Sequence, residues 1–101
     1  MILETMSFKE LEYYIINNNA RIIDLRAPDA FLKSHIEGAE NIPFYQLERQ
    51  MCRFCKKELI IFYCDRGNNS LLACRDFNRC GFYTKAVIGI FSEYRGKYLM
   101  G

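Results

Sequence analysis

Leu59-Ile60-Ile61-Phe62-Tyr63-Cys64 constrains the fold of this 101-residue chain more than any other segment. The run is apolar throughout and rich in β-branched and aromatic residues, with no charged residue on either alternating face, so a strand made from it has to be covered on both sides. A strand sandwiched in this way belongs to a layered α/β arrangement rather than to a sheet with one wet face. Six residues are far too few to cross a membrane, which takes about 20. The run stops at Cys64, and Gly67 and two asparagines follow before apolar spacing resumes.

The flanking segments supply the covering layers. Ser7-Phe8-Lys9-Glu10 has the spacing of a capping box and is followed by apolar Leu11, Tyr14 and Ile15, which predicts a helix from about Phe8 to Asn17. Asn17-Asn18-Asn19 ends it, because asparagine tolerates left-handed backbone, and Arg21 to Leu25 reads as a second buried strand. Pro28 suits the first turn of a short helix running through about Ser34. Gly38 and Pro43 bracket a crossing segment, Ala39 to Ile42, expected to pair briefly in a sheet. Phe44, Leu47, Met51 and Cys55 recur at helical spacing and predict a third helix, its wet face carrying Glu48, Arg49 and Arg53. Ser70 is expected to cap the next helix, with Leu71, Cys74 and Phe77 inward and Gly81 as the left-handed stop. Ala86 to Ile88 is the last strand. Helices alternating with short apolar strands imply right-handed crossovers and a mainly parallel sheet with helices on both faces.

This length suits one domain, residues 1–101, with room for a real core and no need of disulfide staples. Fourteen Lys and Arg against twelve Asp and Glu leave a net charge of only +2, which argues against nucleic acid as the main partner. Glu4 and Lys9 interrupt any leader-like apolar region, so the expectation is a soluble cytoplasmic protein with no membrane association. In a reducing compartment five cysteines, an odd count, would be thiols that react, bind metal or pack.

Cys64 is the cysteine placed for reaction. It ends a buried strand and opens the loop Asp65-Arg66-Gly67-Asn68-Asn69-Ser70, and open α/β sheets bind ligands beyond the carboxyl ends of their strands. Gly67 and the two asparagines, free to take positive φ, allow the loop to curl its N–H groups inward as an anion nest. The dipole of the following helix adds to it. A thiol at a helix N-terminus is stabilised as the thiolate, so Cys64 is the expected nucleophile and residues 65–70 the expected substrate cradle.

Asp24-Leu25-Arg26, then His35-Ile36-Glu37-Gly38-Ala39-Glu40-Asn41-Ile42-Pro43, and Cys64-Asp65-Arg66-Gly67-Asn68-Asn69-Ser70 occur in an order and spacing that resemble the rhodanese-like sulfurtransferase domain, over about residues 2 to 95. The resemblance implies a five-stranded parallel sheet and a loop cysteine that takes a sulfane sulfur from a small anionic donor such as thiosulfate. Cys64 would hold it as a persulfide and pass it to a thiol or cyanide-like acceptor, or to a protein sulfur acceptor. No metal and no organic cofactor is implied. The alternative is a non-catalytic or redox-sensing binding module on the same fold. Many family members carry Arg or Lys directly after the cysteine and Arg before the serine, where this chain has Asp65 and Asn69; the acidic Asp65 is expected to weaken binding of a doubly negative donor. Arg66 is the candidate donor-site cation. The family's phosphatase and arsenate-reductase relatives have a loop one residue longer that ends in Arg, where Ser70 stands here, which disfavours phosphate-ester chemistry.

In the family the counterparts of Asp24 and Arg26 tie loops together by salt bridge and hydrogen bonds, and His35, the one histidine, is expected to be a hydrogen-bonded turn residue; all three are read as structural support. Cys52 and Cys55 form a Cys-x-x-Cys with no second pair to complete a zinc site, so packing or surface is favoured over redox or metal roles. Cys74 and Cys80 are expected to pack in the core. The basic residues Arg49, Arg53, Lys56, Lys57, Arg75 and Arg79 are interleaved with acids and read as a solvated face.

Overall fold

The capping box at Ser7 is formed: Ser7 Oγ accepts the Glu10 N–H at 3.1 Å and the Glu10 carboxylate accepts the Ser7 N–H at 3.1 Å. In this computed structural model, which describes residues 2–101, that cap separates strand β1 (Thr5–Met6) from helix α1 (Phe8–Asn17). Asn18 ends α1 in the left-handed conformation, φ +50°, donating its N–H to Tyr14 O at 3.0 Å. Strand β2 (Arg21–Asp24), helix α2 (Pro28–Lys33) and the two-residue strands β3 (His35–Ile36) and β4 (Glu40–Asn41) follow. Two 3₁₀ helices (Phe44–Gln46 and Glu48–Arg53) lead to strand β5 (Leu59–Tyr63). Helix α3 (Asn68–Arg79), strand β6 (Tyr83–Val87), a 3₁₀ turn (Phe91–Glu93) and strand β7 (Leu99–Met100) complete the order.

The main sheet has the order β1-β6-β5-β2-β4, and every pairing in it is parallel. The fold class is therefore the expected α/β with a five-stranded parallel sheet. Central β5 alternates its side chains between two cores, as its all-apolar sequence requires. Ile60 and Phe62 pack with Ile23, Ala86, Cys74 and Phe77 on the α3 side, while Ile61 and Tyr63 pack with Phe8, Leu11, Ile22 and Val87 on the α1 side. Each such fully buried aliphatic or aromatic side chain contributes about 1.5–3 kcal/mol of transfer free energy. Because α1 and α3 cover opposite faces, the carboxyl ends of β2 and β5 meet at the point where the winding reverses. Among the described residues no helix is long and apolar enough to cross a membrane.

Four expectations are corrected. The third helix is replaced by the two 3₁₀ helices, whose bonds run three residues back, as in Leu47 N–H to Phe44 O and Phe54 N–H to Met51 O. The tighter repeat turns Phe54 inward in place of Cys55, and the Phe54 ring meets Phe77 edge-on at 5.3 Å, with the Arg21 guanidinium 4.3 Å over its other contact surface. Cys55 is exposed. The last strand begins three residues earlier than Ala86, because Tyr83 and Thr84 pair with Leu59 and Ile60. Cys80, expected in the core, is the C-cap of α3 and is exposed. Finally, helix α3 starts at Asn68, with Gly67 rather than Ser70 at its cap. Beyond these, β7 pairs antiparallel with β3 in a second sheet that the sequence did not signal.

Candidate active site

Cys64 leaves β5 buried, 6% exposed, and the chain then turns sharply through Gly67, φ +99°. That left-handed backbone brings the Gly67 N–H to 3.1 Å from Cys64 Sγ. It also seats Gly67 so closely on the next strand's exit that a Cβ there would lie 3.2 Å from Ile88 Cα. Asn68 and Asn69 do not take positive φ: they form the first turn of α3, since the smooth helix from Gly67 onward supplies the inward N–H groups without further left-handed residues. The first bond within the helix runs from Leu71 N–H to Gly67 O, so the N–H groups of Asn68, Asn69 and Ser70 precede it and point past the helix end toward the loop.

Ser70 takes a different place from the one expected. Fully buried in the first turn, its hydroxyl lies 2.9 Å from both Gly67 O and Val87 O, to which its single proton is shared, and Cys64 Sγ sits 3.8 Å from the same oxygen. Ser70 thus clamps the loop to the end of β6 beneath the thiol. Asp65 and Arg66 are exposed; the Asp65 carbonyl accepts the Phe91 N–H at 2.9 Å, which anchors the loop's first residue from the other side.

Asp24 and Arg26 form the second layer of the site. Asp24 is fully buried and accepts from Arg26 Nε at 3.1 Å, Arg26 Nη2 at 2.8 Å and the Arg26 backbone N–H at 2.8 Å. Arg26 also donates to Ser34 O and stacks its guanidinium 3.9 Å over the Phe91 ring. Burial works to lower the guanidinium's pKa, but the bonds and charge of Asp24 outweigh it, with smaller help from Tyr63 and Asp65, and hold it above its ordinary value. His35 stacks on Phe31 at 3.9 Å and sets its Nδ1 2.8 Å from Phe31 O.

Sequence reasoning missed Tyr63. Its hydroxyl, fully buried, donates to Asp24 Oδ2 at 2.6 Å and accepts the Ile36 N–H at 3.0 Å, joining β5, β2 and β3 at one atom. Burial, then the charge of Asp24, keeps this phenol protonated far above the usual range. The available signal was a tyrosine closing an otherwise purely apolar strand, since a buried phenol needs a partner. Asn41 was also missed: its amide donates to Asp24 O and Arg26 O at 3.0 Å each, tying β4 to the loop after β2.

Leu25, Arg26, Cys64, Asp65, Arg66, Asn68 and Asn69 line one cleft of about 300 Å³ at the carboxyl ends of β2 and β5. A larger hollow of about 480 Å³ lies elsewhere, between α3 and the 3₁₀ helices, and holds none of these residues. Of the other cysteines, Cys74 is buried on the inner face of α3 and Cys52 and Cys55 are exposed. Among the described residues no group of three or more His, Cys, Asp or Glu side chains is gathered to hold a metal ion.

Comparison with known proteins matches this arrangement. The chain is 46% identical over 61 residues to a tRNA sulfurtransferase of Shewanella halifaxensis, a match covering 56% of the chain and only 13% of that much longer relative. It is 29% identical over 87 residues to thiosulfate sulfurtransferase 16, chloroplastic, of Arabidopsis thaliana, covering 73% of the chain and 72% of the relative. Among solved structures, SSP1007 of Staphylococcus saprophyticus superposes with a TM-score of 0.87 at 24% identity over 98% of this chain and 100% of that one. The human single-domain sulfurtransferase TSTD1 does so with a TM-score of 0.78 at 23% identity, over 91% and 95%. The family model of the rhodanese-like domain matches residues 7–94, nearly the whole length, so with the loop, the buried Asp24–Arg26 pair and the parallel sheet in their places, the chain belongs to the rhodanese-like domain family.

Proposed function

We propose that residues 1–101 act as one rhodanese-like domain and move a sulfane sulfur from a donor to a thiophilic acceptor through a persulfide on Cys64. The observation that carries this reading is the seat of the thiol: Cys64 Sγ receives the Gly67 N–H at 3.1 Å, in a cleft faced by the open N-terminus of α3. Such a seat favours negative charge on the outer sulfur of a persulfide held there.

With thiosulfate, the Cys64 thiolate attacks the outer sulfur. The sulfur–sulfur bond of the donor breaks, sulfite leaves with the bonding pair, and the enzyme carries the new Cys64–S–S⁻. A nucleophilic acceptor such as cyanide or a thiolate then attacks that outer sulfur, and the Cys64 thiolate is released. Backbone N–H groups from Asp65 to Ser70 cradle the charge, and Arg66 supplies an exposed cation at the mouth. Asp24, Arg26, Tyr63 and His35 hold the surrounding loops in register.

Two measurements test the reading: intact mass after exposure to a sulfur donor, and repeated release of thiocyanate when thiosulfate and cyanide are both present. The wild type gains the mass of one sulfur and turns over. Cys64→Ala does neither while keeping a cooperative unfolding transition, because its buried seat loses only the volume of one sulfur atom. Retention of sulfur loading by Cys64→Ala, or a single equivalent of thiocyanate from the wild type, overturns the proposal.

A further inference from the structure

Three sulfur-bearing residues far from Cys64 share one hollow. The edge-on contact of Phe54 with Phe77, at 5.3 Å, packs the second 3₁₀ helix against the last turns of α3. Close to that contact, Cys52 on the 3₁₀ helix and Cys80 at the C-cap of α3 line the same open cleft of about 540 Å³, and Met51 lines it too. Both thiols are free and exposed, so their side chains can turn toward one point. Cys55, the other half of the Cys-x-x-Cys spacing, is not in this lining, and its Sγ accepts the Lys57 N–H at 3.4 Å. The charged residues of the lining are Arg49, Lys56 and Glu48, an excess of one positive charge. Helix α3, 12 residues long, begins at the Cys64 loop and ends at Cys80, which puts the two sulfur-bearing clefts about 18 Å apart.

We propose that Cys52 and Cys80 hold one Cu(I) ion as a bis-thiolate, with the Met51 thioether as a weaker third ligand. Thiolate and thioether sulfur are the soft donors that select Cu(I), whereas calcium and magnesium take oxygen. A closed zinc site needs a full tetrahedral set of nitrogen and sulfur ligands, and among the described residues no third His, Cys, Asp or Glu is gathered with the two thiols. On binding, each thiol gives its proton to solvent and two sulfur–copper bonds form, while neither sulfur nor copper changes oxidation state. The loaded site carries one net negative charge, which the excess of Arg49 and Lys56 over Glu48 offsets. The site is independent of sulfur transfer at Cys64.

The test titrates the reduced full chain, without oxygen, against the coloured Cu(I) complex of bicinchoninate. The wild type withdraws one equivalent of Cu(I). Cys52→Ser and Cys80→Ser each bind at least about 100-fold more weakly, the upper end of what losing a mere supporting partner costs a metal site, and Met51→Leu binds about tenfold more weakly. Cys55→Ser and Cys64→Ala keep the wild-type affinity within about twofold. A second measurement needs no variant: in the copper-loaded wild type, N-ethylmaleimide followed by peptide mapping finds Cys52 and Cys80 protected and Cys55 alkylated as in the metal-free chain. Wild-type affinity in Cys80→Ser, protection of Cys55 in place of Cys80, or failure of the wild type to withdraw copper from the probe overturns the proposal.

Discussion

Replacing Tyr63 by phenylalanine removes one oxygen atom and tests whether the site is held together where three strands meet. The ring itself loses nothing: its stacking on Phe91 at 5.6 Å and its edge contact with Phe8 at 5.7 Å are available to phenylalanine. What is lost is a hydrogen bond to the buried Asp24 carboxylate, at 2.6 Å, and the acceptor of the Ile36 N–H, at 3.0 Å. A bond to a charged group is worth about 1.5–3 kcal/mol and a buried N–H left unpaired costs about 1–3 kcal/mol. Asp24 keeps its bonds from Arg26, and the buried hydroxyl's own desolvation is relieved, so the expected net loss is about 3 kcal/mol. For a domain of this size each kcal/mol lowers Tm by about 4–8 °C, which places the variant about 15 °C below the wild type. Urea unfolding followed by circular dichroism measures the difference at pH 7, with an unchanged m-value as the sign that the unfolded state is not involved. The pH dependence supplies an independent check. Burial and Asp24 raise the folded-state pKa of Tyr63, so above about pH 10 the unfolded chain releases this proton while the folded one retains it. The unfolded state then binds fewer protons, wild-type stability falls as pH rises, and the gap to Tyr63→Phe narrows by up to about 1.4 kcal/mol per pH unit. A loss below about 1 kcal/mol at pH 7, or a gap that does not change at alkaline pH, would refute the claim that the Tyr63 hydroxyl ties these strands.

Gly67→Ala places a side chain at φ +99° and a Cβ 3.2 Å from Ile88 Cα, so we expect a loss of about 2 kcal/mol in urea unfolding. Sulfur loading on Cys64 should slow at least tenfold as the N–H to Sγ bond is displaced; a variant with wild-type stability and loading would show that the turn has room to relax. The Cys74 thiol, ordinarily near 9.0, is pushed up to about 11 by burial. Its folded pKa is raised, so the associated stability is intact below about pH 9 and lost as pH climbs to 11, about 3 kcal/mol in all. In Cys74→Ala, urea midpoints at pH 8 and pH 11 should differ by correspondingly less than in the wild type, with sulfur transfer retained, and an equal decline in both proteins would exclude Cys74 as its source.

The alternation of helical and strand patterns was legible locally because each signal depends on neighbours a few residues apart. The Ser7 to Glu10 capping box, the left-handed stop at Asn18 and the doubly buried run Leu59 to Tyr63 all formed at their expected positions. The loop after Cys64 was legible for the same reason, since a strand end, a glycine and a helix start are local features. Periodicity alone misled because the three-residue step from Phe44 to Leu47 fits an α-helix and a 3₁₀ repeat alike; the chain took the tighter form, with the Phe54 ring packed on Phe77, 23 residues away in sequence. Ser70 looked like a cap because its residue type caps helices; its oxygen instead clamps Gly67 O and Val87 O, the second of which arrives from a strand formed later in the chain. The role of Tyr63 was likewise invisible until the parallel register set Asp24 beside it and the chain returned Ile36 over its hydroxyl. Sequence determined which residues had to be buried and where the chain had to turn, because those follow from the solubility and backbone freedom of each residue. The tertiary structure alone decided which buried polar groups would meet, because a hydroxyl or carboxylate removed from water takes the partner that the packing brings within reach.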